Sequence, residues 1–258
     1  MASSATDVPV LEVRNVSMSF GKVRALQGVS MRVYRGDVVG LLGDNGAGKS
    51  TLINLISGNF RPDEGDILLD GKPRRFSSPA EAQAAGIHTV YQNAAVAENA
   101  SVSANFFIGR ELSRGIPGLR ILQNRAMEET TRKVMAEIGV QIPSVRAKMG
   151  YLSGGQRQSV IVGRFVHWGG RIALLDEPFA ALGLTESRNA LDLISQVSAR
   201  GIPIVLITHN IGQAWDVINK VVVLRHGEVV GDSPRKDVTP SEVVSMITGA
   251  SRVETPGT

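Results

Sequence analysis

Apolar and polar residues alternate with a period of two near the start of the chain. Leu11 and Val13, and then Val29, Met31 and Val33, share a face with polar residues between them, which predicts strands. Further on the pattern becomes continuous: Asp37 to Leu42 (DVVGLL), Arg171 to Leu175 (RIALL) and Pro203 to Thr208 (PIVLIT) read as short buried strands. Helical patterning separates them, and that alternation predicts a parallel sheet covered on both faces, an α/β fold. Val221 to Leu224 and Glu228 to Gly231 flank His226-Gly227, a two-residue turn signal that predicts a terminal hairpin. Between about Asn93 and Gln158 the strand-like runs stop. Asn124 opens a helix with Met127, Val134, Met135 and Ile138 on one face, closed by Gly139. The chain thus reads as one domain over 8–250 with a helical insertion at about 93–158, and with flexible tails at 1–7 and 251–258.

Composition narrows this picture only modestly. A chain of 258 residues is long enough for one large α/β domain with an insertion. No apolar run approaches the roughly 18 residues of a membrane-spanning helix, and MASSATDVPV has neither the basic nor the apolar region of a secretion signal. With no cysteine the chain cannot be a disulfide scaffold, and a cytoplasmic setting is the expectation. The net charge of +4 would suit nucleotide, anionic lipid or nucleic acid. Its basic residues are scattered rather than gathered in a stripe, so no nucleic-acid partner is expected.

The chemistry sits at the ends of the buried strands. DVVGLL runs into Gly43, Asp44, Asn45, Gly46, Ala47, Gly48, Lys49, Ser50 and Thr51, and Leu52 to Ser57 continues as a helix. Strand, glycine loop and helix form the context of a phosphate-binding loop: the glycines let successive N–H groups turn inward and Lys49 supplies a point charge for the β and γ phosphates of a nucleotide such as ATP. Ser50 is placed to ligate Mg²⁺, while Thr51 and the helix N-terminus add donors. Ile172 to Glu177 (IALLDE) delivers two carboxylates at a strand's C-terminal end, where open α/β sheets bind ligands. Asp176 can hold Mg²⁺ through water, and Glu177 can act as general base on the attacking water. A second anion cradle, Leu152 to Gln158 (LSGGQRQ), precedes a helical run from Arg157 to Trp168 but has no lysine. His209, directly after a strand in ITHN, reads on its own context as a structural histidine.

Taken in order, GDNGAGKST, VYQ, LSGGQRQ, IALLDEP and ITHN, with LEVRNVSMSFGKVRALQGVS before them, resemble the ATP-binding cassette of ABC transporters over nearly the whole chain. The resemblance implies a P-loop NTPase cassette with an antiparallel β subdomain and an inserted α-helical subdomain. It also implies a head-to-tail dimer with ATP at the interface, in which Ser153, Gly154, Gly155 and Gln156 of one copy serve the nucleotide held by the other copy's phosphate loop. By matching position, Phe20 resembles the aromatic residue that stacks on adenine. Gln92 resembles the glutamine that touches Mg²⁺ or water and reports on the membrane partner, and His209 the switch histidine at the γ-phosphate.

The stretch PFAALG after Glu177, and Phe76 to Leu112, resemble monosaccharide importers, most closely the single-cassette fructose or xylose type. Ala100 and Phe179 depart from that pattern, standing where leucine and threonine are expected, and Gly183 stands where cassettes broadly have an aspartate that makes intersite contacts. The implied protein is a peripheral ATPase at the cytoplasmic face of the membrane. It would pair with a second copy and dock on permease subunits fed by an extracytoplasmic sugar-binding protein. An importer for a nucleoside or polyol, a soluble cassette ATPase, an exporter cassette and an assembly module without turnover are the competing expectations.

Overall fold

The computed structural model describes residues 8–90, 96–116, 119–168, 170–178 and 183–250. Gln92, Phe179 and both expected tails lie outside the described residues. In chain order the elements are β1 (Leu11–Phe20), β2 (Val23–Val33), β3 (Val38–Leu42), α1 (Lys49–Ile56), β4 (Glu64–Leu69), β5 (Lys72–Arg74), α2 (Pro79–Ala84), β6 (Ile87–Val90), α3 (Val102–Phe107) and β7 (Ser113–Ile116). They continue with β8 (Leu119–Leu122), α4 (Asn124–Glu137), α5 (Gly154–His167), β9 (Ile172–Asp176), α6 (Leu184–Ala199), β10 (Ile204–Ile207), α7 (Ile211–Ala214), β11 (Lys220–Arg225), β12 (Glu228–Pro234) and α8 (Pro240–Thr248). The described residues fall into two compact units, the first within Met1–Tyr91, Arg171–Pro178 and Val197–Thr258, the second within Gln92–Gly170 and Phe179–Gln196.

The first unit holds a six-stranded sheet in the order β12-β11-β3-β10-β9-β6. The five strands from β11 to β6 run parallel, and β12 returns antiparallel to β11. Every residue of β3 and β10 is buried, as are the first four of β9. Successive strand residues face opposite sides, so burial at every position means that both faces are covered, as the continuous apolar runs predict. The register decides where the chemistry emerges. Ile207 of β10 pairs with Leu41 of β3 on one side and with Asp176 of β9 on the other. Three strands therefore end together at one edge, and the loops after Leu42, Asp176 and Ile207 leave it side by side.

A second sheet, β2-β1-β4-β5, is antiparallel throughout. Its buried row includes Val13 opposite Met31 and Val16 opposite Val29, matching the alternation in the sequence. Strands β4 and β5 were not legible: only the last three residues of β4 are buried, and β5 is exposed. The β1–β4 register shifts between Arg14 and Ser17, with Asn15 at φ 48°. Gly65 fits against this irregularity at φ 84°, where a Cβ would stand 2.3 Å from the Asn15 carbonyl oxygen and 2.5 Å from that of Arg14. Neither obstacle is a side chain that can swing away. Gly65→Ala is expected to destabilise the protein by about 2–3 kcal/mol, read as a lowered urea midpoint at unchanged slope.

The second unit packs α3, α4 and α5 together. Helix α4 buries Met127, Thr131, Val134 and Met135, and the Thr131 hydroxyl donates to the Met127 carbonyl at 2.8 Å. Gly139 at φ 71° follows its C-terminus. Helix α5 approaches closely through Gly163, where a Cβ would lie 2.2 Å from the Met135 methyl. Phe106 and Phe107 of α3 are fully buried. The segment is not purely helical, because β7 and β8 pair as a short antiparallel hairpin. SRGIPGLRIL places one arginine and a few apolar residues on either side of a Pro-Gly turn signal, a pattern too brief to stand out beside the helices.

Candidate functional site

The loop after β3 is shaped by glycines that no other residue could replace cheaply. At Gly43 (φ 154°) a Cβ would stand 2.3 Å from the Leu224 carbonyl oxygen, and at Gly48 (φ 106°) one would stand 2.7 Å from both the Ala25 carbonyl oxygen and Leu26 Cδ2. Gly46 (φ 81°) has no atom within that reach and is required for its backbone angle alone. Within the loop Ala47 N donates to the Asp44 carbonyl at 3.1 Å and Asn45 N donates to the Asp44 carboxylate at 2.7 Å. Lys49 Nζ donates to the carbonyls of Gly43 at 2.8 Å and Asp44 at 2.9 Å. Helix α1 has Gly48 as its N-cap, no side-chain cap and no acidic residue in its first turn. Ser50 is exposed and Thr51 half-buried. A curved run of N–H groups, an uncapped helix start and one lysine suit phosphate oxygens.

The carboxylates stand at the same sheet edge. Glu177 adopts φ 48°, and its N–H donates to the Ile207 carbonyl at 3.0 Å, so the chain turns off β9 while still tied to β10. Glu177 Oε2 lies 2.9 Å from His209 Nδ1; the Glu177 side chain is only 17% exposed, that of His209 71%. Burial and then the charge of Glu177 push the Asp176 carboxyl above its ordinary value, with Lys49 opposing. Burial pulls the Lys49 ammonium below its own, against the attraction of Glu177, Asp44 and Asp176. Both shifts belong to half-buried charges whose neighbours only partly offset the loss of water. Among the described residues no group of three or more acidic, histidine or cysteine side chains could hold a metal ion alone. One hydroxyl and one carboxylate, Ser50 and Asp176, suit Mg²⁺, which keeps waters and takes phosphate oxygens for the rest of its shell.

Phe20 ends β1 and is 45% exposed, packed edge-on against Phe60 at 5.4 Å. It is not a core residue. Met18, two positions earlier, pairs with Leu26, the residue beside Gly48, so β1 leads Phe20 past the phosphate loop. Phe60 escaped the sequence reading because an isolated aromatic in SGNFRPDEG carries no signal until Phe20 is placed next to it. The sequence marks His226-Gly227 only as a turn. Its Gly227 N donates to Ala47 O at 3.1 Å and its Gly227 O accepts from Gln27 N at 2.8 Å, which ties the loop to β2.

The second cradle belongs to the second unit. Gln156 N donates to Ser153 Oγ at 3.2 Å and Ser153 N donates to Gln156 Oε1 at 3.1 Å, a reciprocal capping box. The S-x-x-Q spacing carries this capping signal in the sequence. Ser153 and Gly154 remain exposed while Gly155 is buried, and the Ser153 hydroxyl hydrogen is still available to donate. Gln156 Nε2 donates to the Gln141 carbonyl at 3.2 Å, fixing the amide. The first unit thus gathers Lys49, Asp176, Glu177 and His209 with the phosphate loop, Ser153 to Gln156 stand in the other unit, and Gln92 lies outside the described residues.

The family model described as ABC transporter matches residues 26–180. The chain is 44% identical over 246 residues to the fructose import ATP-binding protein FrcA of Rhizobium meliloti, covering 94% of this chain and 95% of that one. It is 40% identical over 239 residues to the xylose/arabinose import ATP-binding protein XylG of Sulfolobus acidocaldarius, covering 93% and 94%. Among solved structures it is similar to an ATP-binding cassette of an ABC transporter in its ADP conformation, with 27% identity, a TM-score of 0.81 and coverage of 93% and 99%.

Proposed function

The chain belongs to the ABC transporter family, whose ATP-binding subunits hydrolyse ATP to drive transport, and we propose that it powers uptake of a monosaccharide through separate permease subunits. The observation that carries this reading is the convergence of Lys49, Asp176 and the Glu177–His209 pair on one sheet edge, in a chain whose relatives over almost its full length are named as sugar import ATP-binding proteins.

In the proposed mechanism the N–H groups of Gly43 to Thr51 and Lys49 Nζ hold the phosphates of ATP, and Phe20 stacks on the base, a contact worth roughly 1–3 kcal/mol. Mg²⁺, held by Ser50 and Asp176, would neutralise charge on the phosphates. Glu177 accepts a proton from the attacking water, and His209, already 2.9 Å from that carboxylate, orients it toward the terminal phosphate. Gln92 enters this scheme by its resemblance alone.

Two copies close head to tail, each offering the exposed Ser153 and Gly154 to the phosphate held by the other. ATP is then part of the contact and hydrolysis loosens it. A hundredfold preference of ATP for the closed pair would contribute about 2.7 kcal/mol per site. Among the described residues no helix is long and apolar enough to cross a membrane, and the proposed place is peripheral, at the cytoplasmic face against the permease.

The test is uptake of labelled monosaccharides, fructose and xylose included, in cells deleted for this chain and complemented with wild type or Glu177→Gln. Loss of one sugar's uptake, restored by wild type alone, is expected. Unchanged uptake of every sugar would remove the sugar assignment and bring nucleosides or polyols forward.

A further inference from the structure

The second unit displays a surface that neither the nucleotide site nor the proposed dimer uses. Ile121 is 69% exposed and Leu122 52%, side by side on β8. Large apolar side chains at that exposure on a two-stranded hairpin cost free energy in water and contribute nothing to a core. The register sorts them. Arg114 pairs directly with Ile121 and so shares its face, whereas Arg120, opposite Gly115, shares the other face with Leu122. Each face therefore carries one exposed arginine beside one exposed branched apolar residue.

Charge along this stretch is mainly positive. Between Gly109 and Arg125 the sequence contains four arginines, Arg110, Arg114, Arg120 and Arg125, against the single acid Glu111. Glu111 accepts a hydrogen bond from Gly109 N, and Arg110 lies over the Trp168 ring at 5.1 Å. Arg114 and Arg120 form no ion pair with another described residue. The two strands of the hairpin carry two of these arginines and no acid.

From this juxtaposition we infer that the β7–β8 hairpin enters an anionic phospholipid surface edge-on, so that both of its faces meet lipid, with Arg114 and Arg120 on headgroup phosphates and Ile121 and Leu122 at the acyl boundary. Guanidinium groups match phosphate oxygens in pairs, and a bilayer interface offers phosphate and hydrocarbon within one side-chain length of each other. The contact would hold a subunit that has no described membrane-crossing helix against the bilayer without using its nucleotide site. A protein occupant would answer the arginines with fixed carboxylates and would be indifferent to lipid charge, and that difference is what the experiment reads.

The full chain, without nucleotide or permease, is sedimented with vesicles of phosphatidylcholine alone or mixed with phosphatidylglycerol, at low and high salt. Retention on the phosphatidylglycerol vesicles, lost at high salt, is expected. Arg114→Gln with Arg120→Gln is expected to weaken it roughly 30-fold, and Ile121→Ser with Leu122→Ser at least about tenfold. No retention, equal retention on both vesicle types, insensitivity to salt, or variants that sediment like wild type would each overturn the inference. ATP turnover of the same samples shows that the variants remain folded. Its absence in wild type would count against the ATPase reading while leaving the vesicle result standing.

Discussion

Glu177→Gln is expected to lower ATP hydrolysis at least about 10²-fold while leaving nucleotide binding intact. The amide keeps an oxygen at the position 2.9 Å from His209 Nδ1, so the pair can persist while the carboxylate's basicity is gone. Removing that charge also removes one of the two causes that raise the Asp176 carboxyl, which then moves back toward its ordinary value. It equally removes an attraction that favours the Lys49 ammonium, so the lysine moves further below its own. The anionic ligand loses a nearby repulsion, and its affinity should hold or improve. Phosphate release under saturating ATP, set beside a fluorescent-nucleotide titration, separates the two quantities. Turnover equal to wild type would remove Glu177 as base.

Lys49→Ala is expected to act on the other quantity, weakening nucleotide binding by about 100-fold, or about 2.7 kcal/mol. Two losses combine. The ammonium is the positive charge that opposes Asp176, Glu177 and Asp44 at this edge, and without it the carboxylates repel the phosphates unopposed. Its two hydrogen bonds, to Gly43 O and Asp44 O, also bridge the loop that must present the N–H groups. Isothermal titration with ATP checks the affinity, and thermal unfolding without nucleotide separates this from a general loss of fold. Unaltered affinity in a folded variant would contradict the phosphate-loop assignment.

The two substitutions differ in how far the sequence alone could lead to them. GDNGAGKST announces Lys49 because its chemistry is local: the strand before it, the glycine angles and the helix after it are all encoded in one continuous stretch. IALLDE likewise announces its carboxylates. His209 reads on its own context as an ordinary histidine after a strand and gains a role only through the cassette resemblance, whereas its place 2.9 Å from Glu177 is visible only in the structure. The Gly227 contact with the phosphate loop was invisible for the same reason, because a turn about 180 residues away reveals its partner only through the sheet order.

The sequence by itself determined the elements whose pattern is strong and continuous: the alternating strands β1 and β2, the buried strands β3, β9 and β10, the terminal hairpin, and helix α4 with its apolar face. Those follow from periodicity and turn chemistry, which act over a few residues. Tertiary structure alone decided the weakly patterned elements, β4, β5, β7 and β8, whose strand state depends on a pairing partner. It also decided the register that sets Ile207 between Leu41 and Asp176. A hydrogen-bond register joins residues far apart in the chain, and no local composition encodes which of them meet.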